Sequence, residues 1–277
     1  MGWLLEPLQF EFMQQAVLMA VLVGTLGPVV GSYLLVQRLA LLGDVISHTV
    51  LPGLAIAFWL GGNIYVGAFV AGVLSTLLMA GIERFSRLKA DTAMGIVLSG
   101  GFALGITLIT LLQKHNRIDL SHFLFGNILS VTRGEVIATG VVTLVVLGVI
   151  RLFYKELLFY TFDPLGAAAA GVPVNHLHWG LMMLVALTVV MSLKAVGVVL
   201  VIALLVTPAA TAYLVCQQLH QVMLTGIAIG VLGSVGGMYL SYYLNIPSGP
   251  GIVLLLTGFF VVVWLGLNLT KGINPSL

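Results

Sequence analysis

The sequence predicts an all-α protein embedded in a membrane. Three observations carry that prediction. Hydrophobic residues fill 60% of the 277 positions and charged residues 7%, against about 25% charged in a soluble domain. The mean hydropathy is +1.16. Apolar runs of about 20 residues, the length that crosses a bilayer as a helix, recur from one end to the other. Too little polar sequence lies between them for a separate soluble domain, so residues 1–277 read as one membrane domain.

The runs fall near 14–36, 45–61, 63–83, 93–112, 134–154, 179–194, 196–216, 222–243 and 251–269. They make nine spans, or eight if a tightly joined pair crosses as one. The opening Met1-Gly2-Trp3-Leu4-Leu5-Glu6-Pro7 lacks the basic region of a signal peptide, so the first run reads as retained. Small residues recur at a spacing of four: Gly27 and Gly31, Gly101 and Gly105, Gly226 and Gly230, Gly233 and Gly237. Such pairs let helices approach closely; packing within one chain is the plain reading, with a dimer face as the alternative.

The second run carries the chemistry. It opens with Leu41-Leu42-Gly43-Asp44-Val45-Ile46-Ser47-His48-Thr49-Val50-Leu51-Pro52-Gly53. Asp44 and His48 are four apart, so a helix sets both on one face, one turn from each other. Ionisable residues among membrane-spanning ones are costly and default to function. This pair suits a divalent cation or a proton relay; the plain alternative is an ion pair in a loop at the membrane edge. The run is short, as for a helix that starts part-way through the membrane to line a cavity.

Basic residues set the orientation. Alternation places Arg38, Arg84, Arg87, Lys89, Arg151, Lys155 and Lys271 on one side, with Lys114, Arg117 and Arg133 on the other. The richer side is expected in the cytoplasm, together with the C-terminus. The net charge of +2 gives no sign of a nucleic-acid partner.

Three connecting stretches stand out. The external stretch 113–133 starts with Lys114, His115, Asn116, Arg117 and Asp119, and its second half, 120–129, reads as a short amphipathic helix. His115 and His122 read as solvated loop residues. The cytoplasmic stretch 156–178 is the longest internal loop. Within it Asp163 can cap a helix, Pro164 suits its first position, and Gly171 with Pro173 suits its end. A cleanly bounded helix of about two turns there suits a partner's groove. His176 and His178 read as interfacial, and nothing in the pattern assigns His220. The external stretch 242–251 turns on its Pro and Gly residues; Asn245 reads as a turn residue whose oxygen is also available to a cation path.

Three further residues lie in or near the spans. Lys194 stands at a helix junction and can snorkel. Pro208 removes a backbone hydrogen bond in mid-span, as helices lining transport paths often do. Cys216 is the single cysteine, so there is neither a disulfide nor a thiolate cluster, and it reads as packing.

Absent motifs narrow the field. No phosphate-binding Gly-x-x-x-x-Gly-Lys loop occurs, so the chain does not hydrolyse nucleotide itself. Neither His-Glu-x-x-His nor Gly-x-Ser-x-Gly occurs. Ser47 and His48 are neighbours on a helix and point apart, which rules out a dyad. A proton-coupled secondary carrier would be expected to show inverted repeats, and none is visible. An intramembrane enzyme lacks a nucleophile or third ligand beside Asp44 and His48.

In order along the chain, the motifs resemble the permease of bacterial manganese/zinc/iron-type ABC metal-uptake transporters. The stretch 39–53 is the strongest element. Asp91-Thr92-Ala93-Met94-Gly95, Phe125-Gly126-Asn127, Phe162-Asp163-Pro164, Ser192-Leu193-Lys194, Pro208-Ala209-Ala210-Thr211-Ala212 and Pro247-Ser248-Gly249-Pro250 follow. The resemblance covers nearly the whole chain. It implies a type II importer-like permease in the bacterial inner or plasma membrane, working as a homodimer. Two cytoplasmic ATP-binding subunits and an extracytoplasmic metal-binding protein would be its partners. By the same likeness Asp44 and His48 fall at the intramembrane cation site. The segment with Phe162, Asp163, Pro164, Leu165, Gly166 and Gly171 falls at the helix that couples to the ATPase. No stably bound cofactor is implied, only the transported divalent ion. Two departures stand out: Asn245, where the family often has an acidic residue, and Ala90-Asp91-Thr92-Ala93, where it often has Glu-Asp-Thr-Ala. Permeases for metal chelates or vitamins are the near alternative, but such large substrates would not need the Asp44–His48 pair.

Overall fold

The computed structural model describes residues 6–112 and 128–273, and these residues contain helices and no strand. The helices are α1 (Glu11–Val36), α2 (Leu42–Thr49), α3 (Leu51–Trp59), α4 (Ile64–Phe85), α5 (Ala90–Leu112) and α6 (Arg133–Leu152). They continue as α7 (Tyr154–Phe162), α8 (Pro164–Ala169), α9 (Val174–Val196), α10 (Val198–Val215), α11 (Leu219–Leu244) and α12 (Ser248–Ile273). Among the described residues nine stretches are long and apolar enough to cross a membrane, α2 and α3 together forming one of them. That favours nine spans over eight. The amphipathic helix expected over 120–129, with His115 and His122 nearby, lies mostly outside the described residues; Ile128–Ser130 forms a short 3₁₀ turn.

Local chemistry fixes the ends. Thr132 and Glu135 form a reciprocal cap at the start of α6. The Asn63 side chain accepts from the Tyr65 amide at 2.9 Å to open α4. Asn245 closes α11 in the left-handed region, with φ 53°. Gly197, with φ 79°, lets α9 turn directly into α10.

The stretch 156–178 is not mainly loop. Helix α7 occupies its start and α9 its end, leaving α8 and a short turn between them. The reason is a narrow apolar stripe. Leu157 and Tyr160, three apart, are buried, whereas their neighbours Glu156 and Phe159 are exposed. One buried stripe on a nine-residue helix is enough to dock it, yet too little to look like a span.

Helix α1 is the most enclosed of the spans, and it packs on α10, α11 and α6. Proline and glycine are paired across these contacts. Pro28 has no N–H, so the Gly24 carbonyl lacks a donor four residues on. That carbonyl lies against Gly230 of α11, where any Cβ would collide with it. Pro208 likewise releases the Leu204 carbonyl, and this oxygen faces Gly27 of α1, where a Cβ would sit 2.7 Å away. Gly31 lies directly over the Leu205 carbonyl. The other pairs also close contacts within the chain: Gly101 and Gly105 against α2 and α3, Gly233 and Gly237 against α12.

Candidate functional site

Helix α2 forms because Leu42, Val45 and Ile46 give it one fully buried face. It ends at Val50 because Pro52 cannot donate to the His48 carbonyl, and α3 resumes one residue later. The break divides the second span in two, with Asp44 and His48 in the first half. The level of His48 follows from a neighbour. The Thr49 side chain packs on Gly101, where a Cβ would lie 2.5 Å from Thr49 Cγ2. Gly101 stands midway along α5 (Ala90–Leu112). His48 is therefore level with the middle of α5 and not with either of its ends.

The pair faces one way, as the spacing predicts. His48 Nε2 is 3.3 Å from Asp44 Oδ1, and the side chains are 24% and 31% exposed respectively. Both are thus half enclosed and still reachable. The contact is longer than a charge-assisted hydrogen bond of about 2.7–2.9 Å. It matches neighbouring ligands on one ion: bonds of about 2.1 Å at octahedral or tetrahedral angles put two donor atoms about 3.0–3.4 Å apart. Nearby hydroxyls do not compete, since Ser47 donates to the Gly43 carbonyl and Thr49 to the Val45 carbonyl, each at 2.8 Å.

The far side of the imidazole is dry. The edge of Phe102 meets the His48 ring with centroids 5.0 Å apart. His48 Nδ1 is buried and has no hydrogen-bond partner among the described residues. Metal-binding histidines usually donate from the second nitrogen to an acceptor, which strengthens the site. Among the described residues no group of three or more His, Cys, Asp or Glu could hold an ion. Among the described residues one chain therefore brings together one carboxylate and one imidazole here and no third such group.

Asn245 ends α11, exposed and left-handed, and is not brought together with Asp44 and His48 in any group of metal-binding side chains among the described residues. Pro208 is buried inside α10. The Asp163 side chain accepts from the Gly166 amide at 2.8 Å, with Pro164 opening α8 and Gly171 at φ 82° closing its turn. Phe162 and Leu165 stand exposed on either side of the cap, at 61% and 85%. Such a helix is pinned at its root and offers its apolar tip outward.

Spacing did not reveal three contacts. Phe102 reaches His48 from another span. Tyr160 Oη lies 2.8 Å from His178 Nδ1 and ties α7 to α9. Burial first, and the charge of Glu83 second, push the Tyr160 phenol up, so it keeps its proton. Gln37 at the end of α1 adds a 3.3 Å hydrogen bond to Thr161 Oγ1.

Sequence comparison decides the family, because the model for the ABC 3 transport family matches residues 9–266. The chain belongs to the ABC 3 transport family. A Listeria monocytogenes manganese transport system membrane protein, MntC, is 41% identical over 258 residues, covering 93% of this chain and 91% of its own length. A probable iron transport system membrane protein of Haemophilus influenzae is 41% identical over 260 residues, covering 94% and 95%. The solved structure of PsaBC from Streptococcus pneumoniae in complex with Fab superposes with a TM-score of 0.85 at 39% identity, covering 95% of this chain and 94% of that one.

Proposed function

We propose that the chain is the permease subunit of an ATP-driven importer that passes a divalent transition metal, manganese or iron first among candidates, across the membrane. The observation that carries this reading is the Asp44–His48 pair, half enclosed and level with the middle of α5, with its donor atoms 3.3 Å apart. Carboxylate and imidazole without thiolate suit manganese, ferrous iron or zinc. The names of the ABC 3 relatives point to the first two.

The same geometry explains how an ion would leave. Two ligands per chain, one of them with no acceptor behind its second nitrogen among the described residues, make a shallow well. A transport site must bind strongly enough to admit an ion and weakly enough to release it. A second copy of the chain would complete the coordination and the path. The break at Val50 gives the half-span bearing Asp44 and His48 freedom to shift against α3. Helix α8 would seat in a cleft of a cytoplasmic ATP-binding subunit, and its push would reach α1 and α9 through Gln37–Thr161 and Tyr160–His178. ATP hydrolysis belongs to that partner, and an extracytoplasmic binding protein would deliver the ion. Positive charge at the α8 side supports a cytoplasmic placement of α8 and of the C-terminus.

The test is reconstitution of the chain with its ATPase partner and binding protein in liposomes, with manganese, iron and zinc offered separately. ATP-dependent accumulation of one of them supports the reading. Accumulation driven by a proton gradient without ATP would replace it with secondary transport.

A further inference from the structure

We infer that a cavity beside α7 binds the headgroup of one anionic phospholipid. It is an open groove of about 580 Å³ between α7 and the turn that joins α10 to α11, within the roughly 300–1,000 Å³ of small-molecule sites. Its polar lining among the described residues is Lys155, His220, Gln217, Gln218 and the Tyr154 hydroxyl, each of which can donate a hydrogen bond. Among the described residues no carboxylate lines it. Lys155 forms no salt bridge among the described residues. Gln218 caps α11 without a side-chain hydrogen bond, so the first amides of that 26-residue helix also face the turn. Ammonium, amides and a helix N-terminus together favour an anion.

Apolar walls decide between a free anion and a lipid. Leu158, Phe159 and Phe162 line most of the cavity. On the last turn of α10, Tyr213 and Val215 remain 54% and 52% exposed, continuing the apolar surface back along the span. The cavity lies where α6 ends and α11 begins, at headgroup level. A ligand that fits has a phosphate at one end and an acyl chain at the other. This inference rests on the cytoplasmic placement of α7 proposed above, since the anionic leaflet is the cytoplasmic one. A lipid there would brace α7, the helix that leads into α8.

The experiment counts lipids retained by the purified full-length chain, alone and assembled with its ATPase partner, in native mass spectrometry, with phosphatidylglycerol or phosphatidylcholine of equal chain length. One phosphatidylglycerol per chain is expected to be held in preference to phosphatidylcholine. Lys155→Gln should weaken that retention about fivefold and Lys155→Glu about tenfold or more, whereas Lys89→Glu, outside the cavity, should not. Equal retention of the two lipids, or retention unchanged in Lys155→Glu, overturns the inference. If Lys155→Glu instead releases the ATPase subunit and leaves lipid unchanged, the cavity is a protein seat and the inference is likewise wrong. Labelling of Gln217→Cys in a Cys216→Ala background with an impermeant maleimide tests sidedness separately. Labelling from outside the cell would refute the orientation, independently of whether phosphatidylglycerol is held.

Discussion

Placing a methyl group at Gly31 should disturb α1 in a way that trimming its neighbour cannot cure. The atom in the way is the main-chain carbonyl of Leu205, which every residue type would present. Gly233 is the informative contrast, because a Cβ there meets Cδ2 and Cγ of the Leu256 side chain. Overpacking of this kind costs about 1–3 kcal/mol, or roughly 3–10 °C in unfolding midpoint at this chain length. Gly31→Ala and Gly233→Ala should both fall in that range. Leu256→Ala alone also destabilises, since it leaves a cavity. Combined with Gly233→Ala it should be less harmful than the sum by about 1–2 kcal/mol, because the new methyl occupies vacated space. Leu205→Ala combined with Gly31→Ala should simply add, within about 0.5 kcal/mol. Thermal unfolding of the purified variants followed by size-exclusion fluorescence gives all six values. A Gly31→Ala protein as stable as the parent, or one rescued by Leu205→Ala, would refute the packing argument.

Two predictions concern the route from α8 to the spans. Asp163→Ala removes the cap on the Gly166 amide and should weaken α8 by about 1 kcal/mol, lowering transport-coupled ATP hydrolysis, while Asp163→Asn keeps the acceptor and most of the activity. Tyr160→Phe removes the hydrogen bond to His178 at a net cost of about 1 kcal/mol. Hydrogen exchange should then quicken in α7 more than in α5, and ATP hydrolysis should become less dependent on metal.

What the sequence made legible was whatever depended on short spacing. Asp44 and His48, four apart, share a face; Asp163, Pro164 and Gly171 bound α8; the apolar runs mark the spans to within a few residues. The glycine pairs were readable as close contacts, but their partners were not. That Gly27 meets the carbonyl released by Pro208 depends on helices nearly 180 residues apart in the chain, and no local pattern carries that. Phe102 looked like one more apolar residue of α5, and His178 like an interfacial one. Helix α7 read as loop because its buried stripe, Leu157 and Tyr160, is too short to register as a span. The level of His48 along α5 was legible only once Thr49 was placed against Gly101.

In the proposed mechanism Asp44 and His48 together form the station through which the ion passes. The most direct measurement is metal uptake into liposomes holding the assembled transporter, for the parent, Asp44→Asn and His48→Ala, with ATP hydrolysis followed in the same vesicles. The account predicts that both variants assemble and hydrolyse ATP yet lose at least tenfold in uptake, about the loss of one to a few kcal/mol of ion binding at the station. Uptake that survives both substitutions at the parental rate would contradict it, and Asp44 and His48 would be an ion pair that only holds α2 in place.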